Sequence, residues 1–245
     1  MQDDPNVRKP VIRYLGDTAL SVEFGDRIDP ELIARVHAFD AALNQLELTG
    51  VIETVPTYRA VTVVIDPVKA DVGAIEAAIC RVASVGINAA GVGRLFGVPV
   101  CYGGDFGVDL EDLAAHAGMT RDDLIEAHTT PEYLVAMVGF LPGFAYLSGL
   151  DSRLSMPRRS EPRAKIPASS ISIGGQQTAI GSVEGPSGWH LIGRTPARPF
   201  FPGRTPVFLF EPGDRIRFRP VTAQEWSKLD RDATSGAAVV ECLEA

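Results

Sequence analysis

The strongest constraint on the fold lies between residues 131 and 219. Apolar runs there are only strand-sized, and glycine, proline or charged turns separate them. Segments 135–140, 170–173, 189–192, 207–210 and 215–219 are such runs. Pro142-Gly143, Gly174-Gly175, Pro186-Ser187-Gly188 and Pro212-Gly213-Asp214 set the bends. Proline fixes φ and glycine opens the left-handed region, so these bends are tight and predetermined. Short runs punctuated this often predict a compact all-β barrel or sandwich.

The first hundred residues read differently. Segments 12–15 and 19–24 are strand-like around Gly16-Asp17, and Asp29-Pro30 supplies a cap and a first-turn proline for a helix. Leu32, Val36, Phe39, Leu43 and Leu46 then form one apolar helical face. Strands over 51–55 and 60–65 follow, then a second helix burying Val72, Ile75, Ile79 and Val82 and ending at Gly86, then a strand over 95–100. This order is that of a ferredoxin-like split βαβ unit. In the next stretch Asp109 is placed to cap one short helix. Thr120 is placed to cap another, with Met119 and Leu124 as its hydrophobic staple. The predicted class is α+β: a flexible leader over 1–10, an α/β domain over 11–95, a β-barrel domain over 96–222 and a tail over 223–245, with Trp226 and Leu229 at helical spacing before an end that frays from Asp230.

Charge and composition exclude whole classes of partner. A formal charge of −8 on 245 residues argues against a general nucleic-acid binder. No apolar run approaches the roughly 20 residues of a membrane helix, and the N-terminal decapeptide lacks the apolar core of a secretion signal. Cys80, Cys101 and Cys242 are scattered without a CxxC pair, so neither a zinc site nor a disulfide framework is expected, and a reducing cytoplasm is. His37, His116, His128 and His190 share no metal-ligand spacing. His37 reads as structural and His116 as solvated. His128 reads as a cationic cap at a helix C-terminus.

The candidate site residues fall in the β-rich stretch. Arg158, Arg163 and Arg194 sit in loops next to proline or glycine, and a guanidinium can hold a carboxylate through two parallel bonds. Gln177 can donate to and accept from an amide at once. Phe140, Phe144, Tyr146 and Trp189 can wall a pocket. His190 follows Trp189 directly, and strand alternation puts the two on opposite faces. Nucleophile and zinc-protease signatures are absent. Gly174-Gly175-Gln176-Gln177 lacks the lysine and following helix of a phosphate loop. Lys165 with Ser169 and Ser170 makes only a weak Ser–Lys arrangement.

Residues 98–220 carry, in order, VPVCYGGDFGVDLEDLA, HTTPEYLVAMVGFLPGFAYLSGLD, MPRRSEPRAKIPASSISIGGQQT, GWHLIGRTP and PGDRIRFRP. These motifs, with LGDTALSVEFG and VPTYRAVTVVIDP before them, resemble the family of the 5-oxoprolinase B subunit, which is also the first subunit of allophanate hydrolase. That family includes a sporulation kinase inhibitor and the matching domain of urea carboxylases. The resemblance implies a ferredoxin-like domain followed by a cyclophilin-like barrel. It also implies two partners: a homologous C subunit with a related carboxyltransferase-like barrel, and an A subunit. In that complex ATP cleavage drives opening of 5-oxoproline to L-glutamate, with no nucleotide held by an ATP motif in this chain. Arg158, Arg163, Arg194, Phe140, Phe144 and Trp189 then become substrate-binding candidates, and Gln177 and His190 catalytic ones. The alternatives it implies are a carboxyltransferase working with a biotin carrier and a non-enzymatic histidine-kinase inhibitor. Where the family usually has Ile-Tyr-Pro, this chain has Ile180-Gly181-Ser182, which removes an aromatic ring and its hydroxyl.

Overall fold

A computed structural model describes residues 10–84 and 93–244. They fall into two compact units, one on each side of the boundary between Val92 and Gly93. The expected leader and the Gly86 helix stop lie outside the described residues.

The first unit contains β1 (Val11–Tyr14), β2 (Ala19–Glu23), α1 (Pro30–Asn44), β3 (Val51–Pro56), β4 (Ala60–Ile65) and α2 (Val72–Ser84). Asp29 caps α1 by accepting from the backbone N–H of Glu31 and Leu32, with Pro30 at the first position. The sheet runs β1-β2-β4-β3 and every neighbouring pair is antiparallel. Leu20, Val22, Val61, Val63 and Ile65 alternate along β2 and β4 to one face. There they pack with Val36, Phe39 and Leu43 of α1 and Ile75 and Ile79 of α2. Leu46, expected on the α1 stripe, lies past the helix end and is 41% exposed.

The expected split βαβ order departs at its last strand. Segment 95–100 does not return to this sheet. It forms β5 (Leu95–Tyr102) of the second unit, and β1 holds the sheet edge beside β2 instead. Local periodicity predicts a strand but not its partner.

The second unit continues with α3 (Leu110–Ala117), α4 (Arg121–Thr129), β6 (Tyr133–Val138), β7 (Ala145–Ser148), β8 (Arg163–Ile166), β9 (Ser170–Gly174), β10 (Gln177–Ile180), β11 (Gly185–Ser187), β12 (His190–Arg194), β13 (Arg215–Pro220), α5 (Ala223–Thr234) and β14 (Glu241–Glu244). Among the described residues, seven strands close a barrel in the order β12-β9-β10-β7-β6-β13-β5, with β5 pairing back to β12. One pair, β5 with β13, is parallel. Strand alternation fills the interior with Val98, Val100, Val135, Leu147, Ile171, Ile173, Ile192 and Ile216, all fully buried. β8 and β11 form a separate two-stranded ribbon. Segment 207–210, expected as a strand, is a loop tied by one bridge between Phe200 and Phe208. Trp226 and Leu229 lie in α5 as their spacing predicts, but α5 runs on to Thr234 into the stretch expected to fray, where β14 also pairs with the start of β5.

His128 is no helix-capping cation. It is fully buried at the end of α4, stacked on Phe218 at 4.7 Å. Its Nδ1 lies 2.8 Å from the Tyr102 hydroxyl and its Nε2 3.1 Å from Thr178 Oγ1. Thr178 donates its own proton to Ser172 O, so it accepts from His128 Nε2–H, and Nδ1 accepts from Tyr102. Every partner is thereby satisfied by the neutral ring. Burial lowers the His128 pKa to about 3.

An unfolded histidine titrates near 6.5, so below that pH the unfolded chain binds a proton that the folded chain refuses. The stability from His128 is complete above about pH 6.5 and falls by about 1.4 kcal/mol per unit from there toward pH 3. Denaturant melts between pH 7 and 5 should show this acid-side loss. In His128→Gln the loss should shrink by about one proton's worth while stability at pH 7 drops. An unchanged pH slope would contradict the neutral buried ring.

Candidate functional site

Four aromatic rings line up on the outside of the barrel. Phe140 and Phe144, flanking the β6–β7 turn, meet edge to face at 5.8 Å. Phe144 touches Tyr146 at 4.7 Å, and Tyr146 meets Trp189 at 5.8 Å. Tyr146 pairs with Ala179 across β7 and β10, and Phe144, Ala179 and Trp189 bury against one another. The rings form one side of a cleft of about 280 Å³, closed on its other side by Arg158, Arg159, Pro162 and the 186–188 turn.

Two backbone features make this cleft. Phe140 has φ of 72°, a left-handed conformation costly for a residue with a Cβ, and its side chain is 65% exposed. A strained, exposed aromatic at a cleft rim is where function is sought first. Gly174 provides the floor. A Cβ there would stand 2.6 Å from three atoms of the Trp189 indole, so the ring lies flat on the bare strand.

The three loop arginines separate by their partners. Arg163 grips Asp109 through two bonds of 2.8 and 2.7 Å. Arg194 donates to Ala168 O at 3.3 Å and stacks over Trp226 at 5.1 Å, away from the cleft lining. Arg158 is exposed, has no ion pair among the described residues, and hangs over Trp189 at 5.8 Å. Burial raises the pKa of the Tyr146 phenol, against the pull of Arg158, so the hydroxyl remains a proton donor at neutral pH.

His190 and Trp189 do face opposite ways. The His190 ring is buried, and its Nε2–H donates to Pro157 O at 2.9 Å, the residue before Arg158. Gln177 opens β10 two residues before Ala179, on the aromatic face but outside the cleft lining. The Gly174–Gln177 turn joins two strands and is pinned to Met156 on both sides. It offers no helix N-terminus for phosphate.

Sequence reading missed Asp109 as a site residue. Its side chain makes no helix-cap bond. It is 3% exposed and accepts from Arg163, from Leu191 N at 2.7 Å and from Arg159 at 3.4 Å. Burial alone would raise its pKa, but Arg163, the Leu191 N–H and Arg159 outweigh burial and hold it below the ordinary carboxylate range. The signal was present as two arginines ahead of a strand and an aspartate after Gly107, but pairing them requires the barrel.

Gly174→Ala should force Trp189 off the strand at a cost of about 1–3 kcal/mol, typical of overpacking. In a Trp226→Phe background, the remaining indole emission should shift red and become more quenchable by acrylamide. Unchanged emission would mean that the floor tolerates a methyl group.

The chain matches the sequence family described as carboxyltransferase domain, subdomain C and D, over residues 10–210. It is 35% identical over 232 residues to the 5-oxoprolinase B subunit of Bacillus subtilis (strain 168), covering 88% of this chain and 94% of that protein. Among solved structures, TTHA0988 superposes with a TM-score of 0.75 at 29% identity, over 87% of this chain and 41% of that one. Kluyveromyces lactis urea carboxylase shares the fold at a TM-score of 0.82 and 19% identity, over 100% of this chain. This chain therefore spans about two fifths of the first of those solved chains and 25% of the second. With the family match running through both units and the bacterial relative covered almost end to end, the chain belongs to the carboxyltransferase C and D family, that of the 5-oxoprolinase B subunit.

Proposed function

We propose that this chain is the B subunit of an ATP-dependent 5-oxoprolinase complex and contributes the surface that holds 5-oxoproline while it is opened to L-glutamate. The observation that carries this reading is the aromatic cleft with a guanidinium, that of Arg158, left without an ion pair among the described residues and set over its Trp189 wall. 5-Oxoproline is a five-membered lactam bearing a carboxylate. Arg158 suits the carboxylate in a fork-shaped grip, and the Phe144 and Trp189 faces suit the ring. The Tyr146 hydroxyl is a donor for the lactam carbonyl, where negative charge develops as water adds. Hydrolysis breaks the ring C–N bond, the carbon keeping the hydroxyl and the nitrogen leaving as the amine. His190 serves this site through Pro157 O, holding the Arg158 loop.

ATP supplies the driving force in this reading and is assigned to the complex. The strand-to-strand turn at Gly174–Gln177 gives phosphates no cradle, so no step is routed through it here. The partners are homologues of the A and C subunits, acting in the cytoplasm. Among the described residues no helix is long and apolar enough to cross a membrane. A second reading, a carboxyltransferase acting on urea or a similar amide with a biotin carrier, is favoured by the description of the family itself.

In the reconstituted complex, Arg158→Lys should keep the charge, lose the fork and cut kcat/KM for 5-oxoproline by one to two orders of magnitude, about 1.4–2.8 kcal/mol. Its Tm should hold. Full activity in a stable complex would remove Arg158 from the site, and turnover of urea with a biotin carrier would favour the second reading. The purified chain alone should hydrolyse neither 5-oxoproline nor ATP; robust turnover by it would sink the multi-subunit reading.

A further inference from the structure

The geometry assigns Asp109 as the positioning residue of this site. It clamps the 157–163 loop so that, of the two arginines lining the cleft, Arg159 is tied back and Arg158 is left for an anionic ligand. The inference rests on the reading of the cleft as a carboxylate-binding site.

Arg158 stands in a loop held on both sides. Pro157 O accepts from His190 Nε2, and Arg159 N donates to Gly188 O at 2.7 Å. The next two guanidinium groups, Arg159 and Arg163, both turn to Asp109. Asp109 is itself fixed to β12: its backbone N–H donates to Leu191 O at 2.9 Å and its carboxylate accepts from Leu191 N. One buried carboxylate thus joins the loop to the strand that also carries His190. Arg159 and Arg163 side chains keep 29% and 27% of their exposure while Asp109 keeps 4%, so the charge at the centre of the clamp is the dry one.

A buried ion pair gains little net stability, because desolvation of the charges offsets their attraction. What such a pair fixes is geometry. Asp109 anchors two of three neighbouring guanidinium groups, offsetting one of their two charges, and the third is left over an indole. Without Asp109, all three would be free to compete for an incoming carboxylate, and the Arg158 position would no longer be set.

The test uses the full chain carrying Asp109→Asn, which still accepts from Leu191 N but lacks the charge. A second variant, Asp109→Asn with Arg163→Gln, leaves an uncharged pair in case the first fails to fold. Hydrogen exchange is followed at the amide of Arg159 and at Ile171 and Ile173 in the barrel wall. Local release of a clamp should raise exchange at Arg159 by about tenfold or more while the barrel amides stay as in the parent chain. Phenylglyoxal should modify Arg158 well ahead of Arg159 and Arg163 in the parent chain, and all three at similar rates in the variant. In the reconstituted complex, KM for 5-oxoproline should rise about tenfold with kcat within about twofold, as expected when binding geometry alone is lost. Parent-like exchange and modification patterns in the folded variants would overturn the clamp, as would exchange rising equally everywhere. A parent complex that ignores 5-oxoproline would count against the proposed function and not against the clamp, which the exchange and modification patterns decide without substrate.

Discussion

The second unit depends on the pairing of β12 with the end of β5. β5 has β13 along one side, and its other side is shared: β14 takes Leu95–Gly97, and β12 takes Cys101 and Tyr102. Closure at that point removes the open edges of an otherwise exposed sheet. The seam is tight. A Cβ at Gly193 would fall 2.7 Å from Cys101 O, and one at Gly107 would fall 2.0 Å from Ile192 O. Gly103 and Asp109 add backbone bonds from the following loop to the same strand. The chain therefore binds β12 from both sides, and the residues of β12 inherit that rigidity.

The site is placed by this closure. His190 leads β12, Trp189 precedes it, and the loop before β8 is tied to His190 and to Gly188 on either side of Trp189. The cleft lies outside the packed interior, which a seven-stranded barrel of this size fills with side chains. Its walls are loop segments held at several points, an arrangement in which recognition sits on a rigid scaffold. The electrostatic pattern follows the same division. Arg159 and Arg163 are paired with the dry Asp109, whereas Arg158 at the cleft is exposed and has no ion pair among the described residues.

Strand-sized runs and their bends were legible because they are local: β6, β9, β12 and β13 follow the apolar stretches closely. The opposed faces of Trp189 and His190 were legible from alternation. Pairing was not. Segment 95–100 reads as a strand in isolation, and only the barrel decides that its partner is β13. His128 reads as a surface cap because its hydrogen-bond partners, Tyr102 and Thr178, lie 26 and 50 residues away. The arginines show the same limit. Composition marks Arg158, Arg163 and Arg194 alike, whereas their roles depend on an aspartate 54 residues before Arg163 and a tryptophan in α5.

The flat seat of Trp189 on Gly174 has a consequence for how such a cleft can diversify. A floor that admits no additional atom cannot be remodelled by substitution of the strand beneath it. Change is confined to the rim, at Phe140, Pro186 and Ser187, where side chains face open space or a turn. Descendants of this architecture would keep one floor and vary the ledges around it, so a shift in ligand preference would be written in loop residues while the barrel below stayed silent.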